Sequence, residues 1–242
     1  MVQEGRKQSS GLASAGCLYV VSTPIGNLED ITLRALRVLK EADVICAEDT
    51  RTARRLLSHY QIQPARLLSY YSYNERKRLP QVLSLLKSGQ QVALISEAGT
   101  PAISDPGHRL VVEAIKSGIR VVPVPGPSAV LAALVASGLP TDRFLFEGFL
   151  PRKKGRQTKL KKLAQEEGTI ILFESAQRIR KTVEDIVRTM GNRYIVISRE
   201  LTKTYEEFIR GFAEELLAEF DQFVWKGELV LLVAGKDFKP FH

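Results

Sequence analysis

Short apolar runs alternate with stretches of helical spacing over residues 18–136, and this alternation restricts the fold more than any other feature of the chain. The runs are 18–22, Val44–Ala47, Gln91–Ile95 and Arg120–Val124, with a shorter one at Leu67 and Leu68. Near-continuous apolar runs of this length are what strands buried on both faces of a parallel sheet look like. Between them, Leu33, Leu36 and Leu39 share one side of a predicted helix, as do Leu110, Val111, Ala114 and Ile115 within His108–Lys116. A third helix is expected over 74–87 and a fourth over 129–136. Thr32 is placed to cap the first of these helices, and Gly89 to end the third. Strand and helix in alternation predict an α/β domain with a mainly parallel sheet.

The chain has 242 residues, enough for one large or two small domains. Ser137-Gly138-Leu139-Pro140 reads as a linker, giving an N-terminal domain over 17–139 and a second over 140–238. In the second part, strands are expected at 143–149, 169–173, 194–198, 204–210 and 228–233. Only two helices, 155–167 and 178–190, fall among them, so a mixed sheet is expected there. Residues 1–16 are polar and rich in Ser and Gly, which predicts a disordered tail.

Composition excludes several classes. No apolar stretch is long enough to span a membrane, and the N-terminus lacks the apolar core of a signal peptide. Cys17 and Cys46 form no C-x-x-C pair, and His59, His108 and His242 are isolated, so neither disulfides nor a metal site is expected. These features fit a cytoplasmic protein. The net charge is +8, from 16 basic against 11 acidic residues up to Pro140 and 19 against 16 beyond it. The excess is therefore gathered in local clusters, and a polyanionic partner is permitted.

Four strand ends carry unusual loops: 22–30, 48–51, 96–107 and 125–128. In a parallel sheet these ends lie on one edge, where an open α/β sheet has its ligand crevice. The loop Ser96-Glu97-Ala98-Gly99-Thr100-Pro101-Ala102-Ile103-Ser104-Asp105-Pro106-Gly107 is about twice the usual two to six residues, although its Gly, Pro, Ser and Asp also serve ordinary turns. Neither G-x-G-x-x-G nor G-x-x-x-x-G-K-[ST] occurs, which removes the best support for dinucleotide or Walker-type binding. No G-x-S-x-G elbow is present either.

The segments T-P-I-G-N-L-E-D-I-T-L-R-A-L, A-E-D-T-R, S-E-A-G-T-P-A-I-S-D-P-G and V-P-G-P-S-A follow one another in order. After them come L-P-T-D-R-F-L-F-E-G-F-L-P-R-K, R-E-L-T-K-T-Y-E-E and K-G-E-L-V-L-L-V. Together they closely resemble the bacterial ribosomal small-subunit methyltransferase I family of the tetrapyrrole methylase superfamily, over about residues 18–235. The resemblance implies two α/β domains of the tetrapyrrole methylase type with S-adenosylmethionine (SAM) in the cleft between them, usually in a homodimer. It implies 2′-O-methylation of a decoding-centre cytidine in 16S rRNA of the small subunit. By position, Pro24 and Ile25 would floor the SAM site, and Glu97, Gly99, Thr100, Ala102 and Ile103 would hold the methionine end and ribose. Ser128 and Ala129 would touch the cofactor further along, and backbone of 231–234 would lie near the adenine. The family usually has Asp where this chain has Glu97. Its F-[YF]-E-S-x-H-R segment appears here without the His, as Phe173-Glu174-Ser175-Ala176-Gln177-Arg178.

For that reaction a base is useful, because a ribose hydroxyl is barely ionised at neutral pH. Candidates are Glu48, Asp49, Asp105, Glu147 and Glu174, with Glu48 or Asp49 preferred because both precede Arg51 at a strand end. The same pair also suits a helix N-terminus, where carboxylates are favoured by the macrodipole. For RNA, Arg152, Lys153, Lys154, Arg156, Lys159, Lys161 and Lys162 form a run without an acid, suited to phosphate. Arg51, Arg54, Arg55, Arg76, Lys77 and Arg78 extend the basic track, and Tyr70, Tyr71 and Tyr73 are placed to stack on bases or to pack at an edge. Phe144, Phe146 and Phe149 read as core. Two other readings stand beside this one: a tetrapyrrole (precorrin-type) methyltransferase, and a non-catalytic ribosome-assembly protein that binds RNA.

Overall fold

The computed structural model describes residues 16–239, so the tail expected at 1–16 lies outside the described residues save for Gly16. The chain forms two compact units. One runs to Pro24 and then covers Leu28–Pro127; the other takes Ile25–Asn27 and the chain from Ser128 onward.

In the first unit the order is β1 (Cys17–Val21), α1 (Leu33–Glu41), β2 (Val44–Ala47), α2 (Thr50–His59), β3 (Leu67–Ser69) and α3 (Glu75–Lys87). β4 (Gln91–Ile95), α4 (His108–Lys116) and β5 (Arg120–Val124) follow. All five strands are parallel, in the order β3-β2-β4-β1-β5. Alternate strand residues face opposite sides. Val21, Ile45, Ala47, Ala93 and Ile95 meet α1 and α2, whereas Leu18, Val44, Cys46, Val92 and Leu94 meet α3 and α4. Burial on both faces is the physical reason that β2 and β4 read as continuous apolar runs. Thr32 caps α1 as expected, its hydroxyl accepting the Ala35 amide at 3.1 Å. The buried face of α1 differs from the expectation: it is Ala35, Val38 and Leu39, while Leu33 is 86% exposed.

In the second unit, α5 (Ala129–Ser137) precedes β6 (Phe144–Phe149), α6 (Arg156–Leu163), β7 (Thr169–Ser175) and α7 (Ile179–Met190). Then come β8 (Tyr194–Arg199), β9 (Glu207–Phe212), α8 (Ala213–Ala218) and β10 (Glu228–Val233). The sheet is mixed, in the order β6-β7-β10-β8-β9, with β6 and β7 parallel and the other pairs antiparallel. One face packs against α6, α7 and α8, the other against α5 through Val130, Ala133 and Leu134. Each fully buried side chain such as Leu231 contributes roughly 1.5–3 kcal/mol.

The units part at Pro127 and Ser128, whereas the sequence reading set the boundary at 139/140. The reason is α5, whose apolar residues fill the core of the second unit. Arg210 on β9 holds its end, donating to the carbonyls of Ala136 at 2.6 Å and Ser137 at 3.2 Å. The basic helix expected over 155–167 ends at Leu163. Glu166 and Glu167 instead turn to form ion pairs with Arg143, at 3.2 and 3.0 Å. Phe144 and Phe149, expected in the core, are both exposed, and only Phe146 packs inward.

Candidate active site

The connection after β4 enters α4 on one face of the first sheet, while those after its neighbours β1 and β2 enter α1 and α2 on the other. Chains that diverge in this way leave a crevice at the carboxyl ends of the strands. The 96–107 loop begins there. Its Gly99 exchanges two backbone hydrogen bonds with Thr23, at 2.9 and 3.0 Å, which ties the β1 loop to the β4 loop. Gly99 has φ 76°, a left-handed conformation open to glycine. Ala102 and Ser104 adopt φ of 68° and 64° without that freedom, at a cost of order 1–3 kcal/mol each. Ser22 Oγ and Thr100 Oγ1 lie 2.8 Å apart, and the Thr100 hydroxyl donates to the Pro127 carbonyl at 3.2 Å. Three of the four loops singled out in the sequence are thereby bonded together. The fourth joins them where the Glu97 amide donates to Glu48 Oε2 at 3.3 Å.

Negative charge gathers at this edge. Burial, and beyond it the charges of Glu97 and Asp49, push the Glu48 carboxyl above its usual range, against the pull of the Glu97 amide. Burial and the charge of Glu48 raise Asp105 to about 6, against a hydrogen bond with Ser96. Asp49 behaves in the opposite way. The Arg51 side chain, 2.6 Å away, and the Arg51 amide, at 2.7 Å, hold its carboxyl well below the usual range. Asp49 is the N-cap of α2, so the structural reading of this residue prevails.

Beside this edge lies a cleft of about 150 Å³ lined by Thr23, Pro24, Leu28, Thr52, Ala53, Arg55, Leu56, Ile95, Ser96 and Glu97. Thr23 is 2% exposed, and its Oγ1 is the buried side-chain oxygen or nitrogen without a hydrogen-bond partner among the described residues. Ser22 and Thr23 belong to the 22–30 loop but not to the residues expected at the cofactor; a hydroxyl residue ending an apolar strand is the signal that marks them. Of the residues expected at the cofactor, Pro24, Glu97, Gly99, Thr100, Ala102 and Ile103 lie on these loops, with Glu97 and Ile103 exposed. Ile25 is spent differently, its side chain being buried in the core of the second unit. Ser128 and Ala129 begin α5 in that unit.

The basic run at 152–162 divides in two. Arg152, Lys153 and Lys154 are exposed, as are Lys161 and Lys162. Arg156, expected on RNA, is 5% exposed and turned inward. It donates to Asp185 Oδ2 at 2.7 Å, the Thr182 hydroxyl at 2.8 Å and the Pro151 carbonyl at 3.3 Å. Thr182 in turn donates to Glu174 at 2.7 Å, Glu174 pairs with Arg178 at 3.3 Å, and Arg188 also bonds Asp185. A run of basic residues cannot reveal that one member has buried acids waiting for it. Glu174 is thus occupied as a framework carboxylate, and Glu147 pairs with Lys159 at 2.6 Å. Tyr70, expected to stack or pack, is fully buried and donates to Glu75 at 3.3 Å, whereas Tyr71 and Tyr73 are exposed.

The family model of the tetrapyrrole (corrin/porphyrin) methylases matches residues 17–217. A ribosomal RNA small subunit methyltransferase I from Halalkalibacterium halodurans is 50% identical over 225 residues, covering 93% of this chain and 78% of that relative. Its namesake from Thermotoga maritima is 48% identical over 222 residues, covering 92% of this chain and 100% of the relative. Among solved structures, the cobalamin biosynthetic enzyme cobalt precorrin-4 methyltransferase matches with a TM-score of 0.67 at 21% identity, over 90% of this chain and 94% of its own. A uroporphyrin-III C-methyltransferase from Thermus thermophilus, complexed with S-adenyl homocysteine, matches at 0.61 and 23% identity, over 90% and 97%. At such identities the likeness to solved structures is one of fold. The chain belongs to the tetrapyrrole methylases and, within them, to the ribosomal RNA small subunit methyltransferase I family.

Proposed function

We propose that the protein is a SAM-dependent methyltransferase that acts on 16S rRNA of the small ribosomal subunit, at the ribose 2′-hydroxyl of a decoding-centre cytidine. The observation that carries this is the 50% identity to a ribosomal RNA small subunit methyltransferase I across 93% of the chain. The protein works in the cytoplasm as a homodimer, as the resemblance implies. No helix among the described residues is long and apolar enough to cross a membrane, and no group of metal-ligating side chains occurs among them.

The first unit's sheet edge suits SAM, which carries a sulfonium and an ammonium and supplies an activated methyl group. Beyond burial, the charge of Glu97 raises both Glu48 and Asp105 and that of Glu48 raises Asp105, so the edge holds more negative charge than it favours alone, and a cationic ligand relieves it. Gly99, Thr100, Ala102 and Ile103 bring backbone to the ligand, and Glu97 supplies the carboxylate for the ammonium. Pro24, Ile25, Ser128 and Ala129 complete the set, Ile25 through its backbone. Holding oxygen, methyl and sulfur in line supplies much of the acceleration. Glu48, with Asp105 beside it, has the raised carboxyl that suits a base, and Asp49 with Arg51 orients the start of α2. Arg152, Lys153, Lys154 and Lys159 contact RNA phosphate.

Labelled methyl transfer from SAM to undermethylated small subunits tests the reading. Ribose 2′-O-methylation is the expected product. SAM binding without transfer to subunits, together with transfer to precorrin-type substrates, would move the protein to the small-molecule branch.

A further inference from the structure

The orphaned hydroxyl of Thr23 costs the folded protein stability, since a buried polar group without a partner has lost its water for nothing. A methyl group in its place would fit the same space. Thr23 lines a cleft with apolar walls, Pro24, Leu28, Ala53, Leu56 and Ile95, and with Thr52, Arg55, Ser96 and Glu97 as its other polar lining residues. The Arg55 side chain is exposed and forms no hydrogen bond or ion pair among the described residues, and the side chain of Arg54 is equally unpaired.

We propose that this cleft receives the acceptor nucleotide: one of its rings lies against Pro24, Leu28 and Leu56, the Thr23 hydroxyl bonds a polar atom of that ring, and Arg55 meets a flanking phosphodiester. The assignment rests on the RNA methyltransferase reading. Two properties favour the acceptor over the cofactor here. At about 150 Å³ the cleft is smaller than the roughly 300–1,000 Å³ that encloses a drug-sized molecule, and it takes one ring, not all of SAM. Arg55 at the wall suits a phosphodiester, and Glu97, which also lines the cleft, marks where it adjoins the cofactor's end of the 96–107 loop. Apolar walls with one or two directed polar groups are also how an unstacked nucleotide is held. A threonine hydroxyl both donates and accepts, so it reads either polarity on the ring it meets.

The test is Thr23→Val, with Thr23→Ser as the conservative control and Arg55→Gln as an independent probe. Methyl transfer to undermethylated small subunits, SAM affinity by calorimetry and thermal midpoint are measured on each full-length protein. Thr23→Val is expected to raise KM for subunits at least about tenfold, with SAM affinity within twofold of wild type and the midpoint unchanged or higher by about 2–4 °C. Thr23→Ser restores KM, and Arg55→Gln raises it by a few fold with a shallower salt dependence. A midpoint that stays or rises while subunit recognition fails is a combination that a purely structural threonine cannot produce. Weakened SAM affinity with unchanged KM for subunits overturns the assignment and gives the hydroxyl to the cofactor. So does wild-type behaviour of Thr23→Val and Arg55→Gln in an enzyme that methylates subunits. A wild-type protein that binds SAM and leaves subunits unmethylated overturns the function itself, and the acceptor assignment with it.

Discussion

Both units hold polar side chains away from water, and they treat them in opposite ways. In the second unit Arg156, Asp185, Thr182, Glu174 and Arg178 form a chain in which each buried group has a partner. In the first, Thr23 has none, and Glu48 and Asp105 share a small space with Glu97 at the expense of their acidity. A satisfied network stiffens a framework, whereas groups left unsatisfied or mutually repelling are stabilised by whatever binds next. This criterion supports the proposal that the first unit's sheet edge is the seat of the chemistry. The buried network of the second braces the segment that displays Arg152, Lys153 and Lys154.

The contrast can be broken at either end. The largest effect is expected from Arg156→Ala, which removes the buried partner of Asp185 Oδ2 and of the Thr182 hydroxyl and costs about 3–5 kcal/mol in urea unfolding. A loss under about 1 kcal/mol would show that the network braces nothing. Glu48→Gln is expected next, with methyl transfer slowed about a hundredfold and SAM affinity retained. If Asp49→Asn costs more activity than Glu48→Gln, the order assigned here is reversed. Glu97→Gln weakens SAM binding by about tenfold, as loss of a charge-assisted hydrogen bond should; calorimetry giving the wild-type value removes Glu97 from the site.

The smallest effect is a pH dependence. Asp105 has a folded pKa of about 6 and an unfolded value near 3.9, so the folded state binds the extra proton between these limits. Its contribution to stability is therefore present at low pH and lost as pH rises through about 6, where burial, Glu48 and Glu97 all oppose the charge. Asp105→Asn should raise the thermal midpoint at pH 8 and raise it by only about half as much at pH 5. A gain equal at both pH values would mean that the charge is not the cause.

Much of the fold was legible because burial on both faces of a parallel sheet leaves an imprint on sequence. Val44–Ala47, His108–Lys116 and Arg120–Val124 form as expected to the residue. The loops of the site were legible for a related reason, since turn residues collected after apolar runs mark strand ends. What escaped depended on partners far along the chain. Arg156 reads as one basic residue among seven until Asp185 and Thr182 are found beneath it. Tyr70 reads as the neighbour of Tyr71, yet it packs under α3 and α4 with Val82 and Leu110. Phe144 and Phe149 flank Phe146 in a mostly apolar run but lie on an edge strand next to β7 alone.

The segment Ile25–Asn27 has a consequence for the order in which the protein is made. Ile25 fills the apolar core beside Val130 and Leu232, and the Asn27 amide bonds the Thr202 hydroxyl at 3.0 Å. The last half of the chain to leave the ribosome is thus completed by three residues that left it near the beginning. Until they arrive, the second unit has a vacancy in its core that none of its own later residues fills. Maturation of the two halves is coupled by connectivity, and a cut between them would not yield two finished pieces.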